Sequence, residues 1–504
     1  MSDASLALCD AASIFPCSVK TLGSIIGLKY PAMPNGDDVK DMLPICSRTC
    51  QILTTTTIEY FEWLRTGVAG NWAITGASQS WNHWRHAHMT HKVLVHDDDD
   101  AIAAERRAMY TGRAEAWRWG RDKTAPIFEY DWSNAYPRIA EEEELPVRLL
   151  GSARTASAGQ LPQLWSRYAV LADVSVTTDR PVVPTRDAGG ILWPVGTFEA
   201  TLWDPEIKAL LNAGGSVTPS RVWIYERAPA LRSWASWVLG SLHQDDAQRY
   251  RWLPIVLKHW SRSLIGRFAM QYQQWELFGR MPHHNIAMGT LVNRDTGDVF
   301  DTMQIGQDIH LLSGMTESDN SCPQITSYIM SACRAKLWNL TQLIGEQNVY
   351  YLDTDSVIVN TKGHKAISNN MGNPLCDGLR LKSRHRGYEI YGPRAIVAGG
   401  TAKFAGMPRG SQRTADDQWL GEVWSQLEHS VRIGEFDRVR ITSRTFTTRW
   451  NDKRRARRED GTTTPYRLPG RQPATPAGVI PPVLERERIQ YAVRALGAKR
   501  IVSK

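Results

Sequence analysis

Apolar positions along this chain repeat with two spacings. Steps of three and four predict helices over Ile52 to Leu64, Ser78 to Trp84, Ser233 to Leu242 and Leu253 to Phe268. Short runs rich in Val, Ile and Leu predict strands at Leu171–Val176 and Ile191–Trp193. Two more such runs, Asn348-Val349-Tyr350 and Val357-Ile358-Val359, flank the hexapeptide Tyr351-Leu352-Asp353-Thr354-Asp355-Ser356. That segment reads as a stiff hairpin with two carboxylates at its tip. Strand-like and helical segments interleave from about residue 110 to 385, which gives an α+β class. Residues 1 to about 105 are helical without a catalytic constellation and read as a supporting region. Six prolines between 465 and 482, with Gly and Thr, predict a linker, and Val483–Arg500 a charged amphipathic helix.

The 504 residues leave room for about three or four domains. With 42% hydrophobic and 22% charged residues the chain reads as soluble and globular. No apolar run approaches a membrane span, and the start lacks a basic segment followed by an apolar one, so the expectation is a cytoplasmic protein with no membrane partner. The net charge of +8 permits a polyanion partner, and its placement adds to this. From Arg438 to Arg458 nine basic residues face one acid, Asp452, around Phe446 and Trp450. Such density fits a phosphate-contacting surface, with a solvated charge run as the alternative.

The seven scattered cysteines read as reduced thiols. Cys46-x-x-x-Cys50 with Cys9 and Cys17 is a loose spacing for zinc. His83, His86, His88, His91 and His96 precede Asp97–Asp100. The acids fit a helix N-terminus and the histidines a polar face.

Oxygen ligands on a rigid hairpin suit Mg²⁺ or Mn²⁺. A partner carboxylate is available at Asp131, at the end of the strand-like Ile127-Phe128-Glu129-Tyr130-Asp131 and just before Tyr136-Pro137. If that strand lies beside the hairpin, Asp131 and Asp355 chelate two divalent ions, the arrangement that an in-line phosphoryl displacement needs. Lys258 and Arg262, four residues apart, share a helix face that suits a triphosphate, and Gly266 allows close approach of another backbone or a base pair.

In order and spacing, Asp131-x-x-x-x-Tyr136-Pro137, then Lys258 with Ser263, Gly266 and Phe268, then Tyr351-x-Asp353-Thr354-Asp355-Ser356 resemble motifs A, B and C of family B DNA polymerases. Tyr110-Thr111-Gly112-Arg113 resembles the Tyr-x-Gly-Gly signature of the protein-primed branch found in phages, adenovirus-like viruses and linear plasmids. Pro184 to Phe198 looks like that branch's palm insertion, and Lys403-Phe404-Ala405-Gly406-Met407 like a thumb element. The resemblance implies a right-hand fold of palm, fingers and thumb. Asp131 and Asp355 would be the metal ligands and Asp353 an auxiliary carboxylate. Tyr136 would be the steric gate against a 2′-hydroxyl, and Lys258 with Arg262 the triphosphate contacts. Tyr110, Gly112, Arg113, Thr354, Tyr391 and Lys403 would contact DNA.

The implied layout is an exonuclease-like region over 1–105, palm over 106–232 and 281–385, fingers over 233–280, thumb over 386–460, and linker and helix over 461–504. The implied partners are primer-template DNA, dNTPs and a terminal protein that supplies the priming hydroxyl, though a DNA or RNA primer would leave the same residues in place. The function so implied is DNA-directed DNA synthesis in the replication of viral, phage or mobile-element DNA. A catalytically weak, polymerase-derived DNA-binding protein is the alternative.

Some positions depart from the pattern. Arg262 replaces motif B's asparagine and Ile265 its tyrosine, and Glu389-Ile390-Tyr391 stands where Lys-x-Tyr is expected. Of the carboxylates of an exonuclease site only Asp10 has a match; Cys46-x-x-x-Cys50 takes the place of the third motif, so proofreading is expected to be lacking.

Overall fold

A computed structural model describes residues 10–32, 39–66, 70–153, 158–187, 190–241, 249–292, 298–408, 410–424, 441–450, 452, 454–469 and 494–495. At its centre is a seven-stranded antiparallel sheet. Its order is Thr401–Phe404, Ala395–Ala398, Leu379–Gly392, Gly120–Trp132, Ser356–Val359, Val349–Asp353 and Ala114–Ala116. The strand carrying Asp131 lies directly beside the hairpin, with Asp131 opposite Ser356.

Alternation along these strands separates two faces. Tyr130, Trp132, Leu352, Val357 and Val359 join the main core with the largely buried helix Pro323–Ile344. Ile127, Tyr351, Ile358 and Ile396 build a smaller core on the opposite side. Glu129 and Asp131 follow Ile127 in steps of two, so this second side carries the acidic residues.

A five-stranded sheet, ordered Arg467–Leu468, Val195–Trp203, Ala169–Thr178, Ser216–Ala228 and Leu145–Ala153, packs into the same main core. The paired ions Arg334 and Glu206, 2.8 Å apart and both buried, tie the helix Asp204–Asn212, which follows one of its strands, to the long helix.

The expected break near residue 105 does not separate two cores. Ile14, Phe15, Leu22, Ile52, Tyr60, Trp63 and Leu64 of the N-terminal region pack with Trp252, Leu253, Val256, Leu257 and Trp260. Trp252 donates from its indole N–H to Glu59 at 2.8 Å. The helix Val39–Arg65 therefore shares its apolar face with Leu253–Phe268, the helix that carries Lys258 and Arg262. Asp98 caps Asp99–Arg107, as its acids predicted. The histidines do not share a polar face: His83 is buried beside Trp237, and buried His96 bonds Glu105 at 2.9 Å.

Three further segments differ from expectation. Gln271–Val292 and Val299–Glu317 form a long antiparallel pair of strands whose apolar side chains are largely exposed and leave no core-like alternation to read. Strands Ala395–Ala398 and Thr401–Phe404, placed in the thumb by the motif reading, extend the central sheet. The start of the expected linker is ordered instead. Thr463–Pro465 pairs with Arg455–Arg457 and Arg467–Leu468 with Val195-Gly196, so Pro465 and Pro469 lie at strand ends where a missing N–H costs nothing, while the other four prolines fall outside the described residues. Val483–Arg500 falls outside the described residues except Arg494–Ala495, which pair with Leu94–Val95. No described helix is long and apolar enough to cross a membrane.

Candidate active site

A cleft of about 680 Å³ opens over the second face of the central sheet. Strand alternation decides its floor: Glu129 with Asp131, Tyr351 with Asp353, Ser356 with Ile358, and Arg394 with Ile396 are pairs two residues apart, and all eight line it. Tyr136 and Arg262 line it as well, with Lys382, Thr354, Asp355, Lys403 and the turn Phe404-Ala405 with Met407.

The hairpin tip is held in a sharp conformation. Thr354 has φ 59°, a left-handed geometry that costs a β-branched residue about 1–3 kcal/mol. Its N–H donates to the Arg113 carbonyl at 2.7 Å, and its hydroxyl to Asp353 at 3.2 Å. The Asp355 carbonyl accepts from Trp132 N–H at 2.8 Å, fixing the tip against the Asp131 strand. Beyond Asp131 the chain turns through Asn134, also left-handed at φ 58°, into the helix Ala135–Glu142. Pro137 sits in its first turn, where a proline lacks no needed donor, and Tyr136 just before it reaches the cleft.

Burial, and then the Asp131 carboxylate, push the Asp355 carboxyl up to about 6, and Arg262 eases this only in part. Two carboxylates held in one partly dry cleft repel each other, and a divalent cation between them would relieve that repulsion. Oxygen donors of this kind suit Mg²⁺ or Mn²⁺, and Asp131 and Asp355 are the carboxylates that could hold such an ion. Among the described residues no group of three or more His, Cys, Asp or Glu side chains is placed to hold a metal ion by itself. The Tyr136 phenol is pushed well above its usual range, first by burial, and stays neutral.

Of the remaining expected residues, Lys258 lies outside the cleft lining but on the exposed side of its helix with Arg262 and Gly266. Ile265 is buried and faces the core, where its carbonyl accepts from Thr326 at 2.6 Å. That orientation removes it from the cleft.

Tyr110 and Arg113 offer no surface to DNA here. Arg113 is 0% exposed, bonds Glu115 at 2.6 Å, and lies over the Trp117, Trp193 and Trp338 rings. Tyr110 is buried, with its carbonyl accepting from Arg334 at 2.8 Å. Arg113 supports the hairpin through its carbonyl, which accepts from Thr354 N–H. Gly112 touches it directly, because a Cβ there would come within 2.5 Å of the Thr354 hydroxyl.

Tyr391 donates to Glu389 at 2.9 Å, and Glu389 is paired with Arg413 and Arg121, so this strand end is tied to its neighbours outside the cleft. The basic run is likewise spent partly inside the molecule: Arg455 is buried against Glu115 at 3.2 Å, and Arg454 donates to the Ala114 carbonyl. Arg438 and Arg440 lie outside the described residues. Asp10 caps the short helix Ala11–Ser13 through a 2.9 Å bond to Ala12 N–H, and Cys46 and Cys50 are exposed on Val39–Arg65.

Motif reading missed Glu129, Lys382 and Arg394. Glu129 was recoverable, since it sits two residues before Asp131 on the same strand. Lys382 was not, because a bulge between Leu381 and Ser383 sets its direction.

Solved structures share this architecture. The orthorhombic crystal form of phi29 DNA polymerase and its ternary complex with primer-template DNA and incoming nucleotide substrates are each 12% identical to this chain, with TM-score 0.59, covering 87% of this chain and 80% of that one. The post-translocation binary complex with primer-template DNA is 13% identical, with TM-score 0.57, covering 87% and 79%. The chain has the fold of phi29 DNA polymerase. At such identity the likeness is one of fold, and it agrees with the family that the three motifs resemble. No family model matches the chain, and no curated protein matches it in sequence.

Proposed function

We propose that this chain is a DNA-directed DNA polymerase that adds dNTPs to a primer hydroxyl. One observation carries the reading: Asp131 and Asp355, the latter at the tip of the hairpin beside the Asp131 strand of a phi29-polymerase fold, share a cleft with Tyr136 and Arg262. The central sheet serves as palm, Arg232–Ser241 and Leu253–Phe268 as fingers, and the strands Gln412–Ala415, Gln418–Trp424 and Ile441–Thr447 as part of the thumb. Primer-template DNA and nucleotides occupy the phi29 complexes of the same fold, and the proposal brings both to this cleft.

Asp131 and Asp355 would hold two Mg²⁺ ions, which when bound activate the attacking hydroxyl and neutralise charge on the leaving pyrophosphate. Arg262, with Lys258 on the same helix face, meets the triphosphate. Tyr136 lies under the sugar, where its ring leaves no room for a 2′-hydroxyl, and Tyr136→Ala should admit rNTPs. A terminal-protein hydroxyl as primer belongs to the same reading. Asp10's use as a cap supports a chain that leaves single-stranded DNA undigested.

The test is extension of a primed template with Mg²⁺ and dNTPs. Extension by the wild-type chain and none by Asp131→Asn supports the reading. Tight template binding with no extension in Mg²⁺ or Mn²⁺ would sink it in favour of a DNA-binding role.

A further inference from the structure

One carboxylate in the cleft takes no part in the reading above. Glu129 is 7% exposed and accepts three hydrogen-bonding groups at once: the Lys403 ammonium at 3.0 Å, the Lys382 ammonium at 3.1 Å, and the Ser383 hydroxyl at 3.0 Å. Both lysine side chains remain 51% exposed and line the cleft. Lys382 lines the same cleft as Asp131 and Asp355, so it stands beside the reacting centre.

We infer that Glu129 is a positioning residue that fixes Lys382 and Lys403 as a two-cation clamp for the phosphodiester next to the primer's reacting hydroxyl. The inference rests on the polymerase reading and adds to it a role for residues outside the three motifs. An ammonium has three N–H donors, so each lysine keeps donors for a phosphate after bonding Glu129. A free lysine side chain samples many rotamers, and bonding to a buried acceptor removes much of that freedom before DNA arrives. The cluster keeps a net positive charge, one carboxylate against two ammoniums. Lys382 comes from the strand whose expected Lys-x-Tyr lysine is Glu389, so the cation lost at 389 is supplied seven residues earlier, on the same strand, facing the cleft.

Glu129→Gln leaves one acceptor oxygen and turns an amide donor toward the lysines. The lysines remain charged, so DNA is still bound, but the primer end is no longer held in one place. Displacements of about 1 Å at a reacting centre cost up to roughly 100-fold in rate. The expected result is a primer-template Kd within about threefold of wild type, an unchanged nucleotide KM, and a single-turnover incorporation rate about tenfold lower.

Lys382→Ala and Lys403→Ala, both at half-exposed positions, should each lower the slope of log Kd against log salt by about 0.9, one phosphate contact apiece. A merely structural ion cluster would leave that slope alone. Unchanged slopes in both lysine variants, or a Glu129→Gln incorporation rate within twofold of wild type, would overturn the inference. Failure of the unsubstituted chain to incorporate any nucleotide would instead overturn the polymerase reading, and this control tells the two failures apart.

Discussion

Replacing Asp355 with asparagine should stabilise the folded chain while it abolishes synthesis. The Asp355 carboxyl is lifted from 3.8 to about 6, by burial first and then by the charge of Asp131. Its folded pKa lies above its unfolded one, so protonation favours the folded state. Above pH 6 both states are ionised, and the folded state bears the full cost of holding the charge. At 1.36 kcal/mol per pH unit that cost is about 3 kcal/mol, reduced toward 1 by the part of the side chain that stays in water. As pH falls through 6 the folded carboxyl takes up its proton; about half of the cost remains at pH 5 and none below 3.8. Thermal or urea unfolding of both proteins, without divalent ions, measures the gap directly. Asp355→Asn should melt a few degrees higher at pH 8, with the gap narrowing steadily toward pH 5. A gap that stays constant over this range, or a less stable variant at pH 8, would show that Asp355 is not a strained charge facing Asp131.

Gly112→Ala should drive a methyl into Thr354, cost about 1–3 kcal/mol, and lower incorporation at least tenfold by shifting the tip that carries Asp353 and Asp355; an unchanged rate would contradict this. Arg113→Ala strands the buried Glu115 with Arg455 alone, and should cost about 3–5 kcal/mol in melting experiments while leaving the salt slope of DNA binding unaltered in the protein that remains folded. Trp252→Ala, at the centre of the core shared by the N-terminal helices and Leu253–Phe268, should cost about 3–5 kcal/mol and raise the dNTP KM, since Leu253–Phe268 carries Arg262.

The parts legible in the sequence were those fixed by local chemistry. Apolar runs around Asp353-Thr354-Asp355 dictated a hairpin, and a strand ending at Asp131 followed by Tyr136-Pro137 dictated a strand, a turn and a helix. These elements form as read, and the sheet brings Asp131 and Asp355 together. The parts not legible depend on long-range pairing. Nothing local to Arg113 tells a DNA contact from a buried partner of Glu115, because the three tryptophans around it come from positions 117, 193 and 338. The basic run looked like a surface for the same reason: Arg455 finds its carboxylate 340 residues away. The strand pair Gln271–Val292 with Val299–Glu317 leaves apolar residues in water on both strands, so its pattern of exposure carried no period-two signal.

The most direct measurement is single-nucleotide incorporation on four primed templates that differ only in the templating base, with Mg²⁺ and each dNTP supplied in turn. The cleft of Asp131, Tyr136, Arg262 and Asp355 should add the complementary nucleotide on every template, and Asp355→Asn should add none. Incorporation that ignores the templating base, or that survives Asp355→Asn, would contradict a templated polymerase centred on this carboxylate pair.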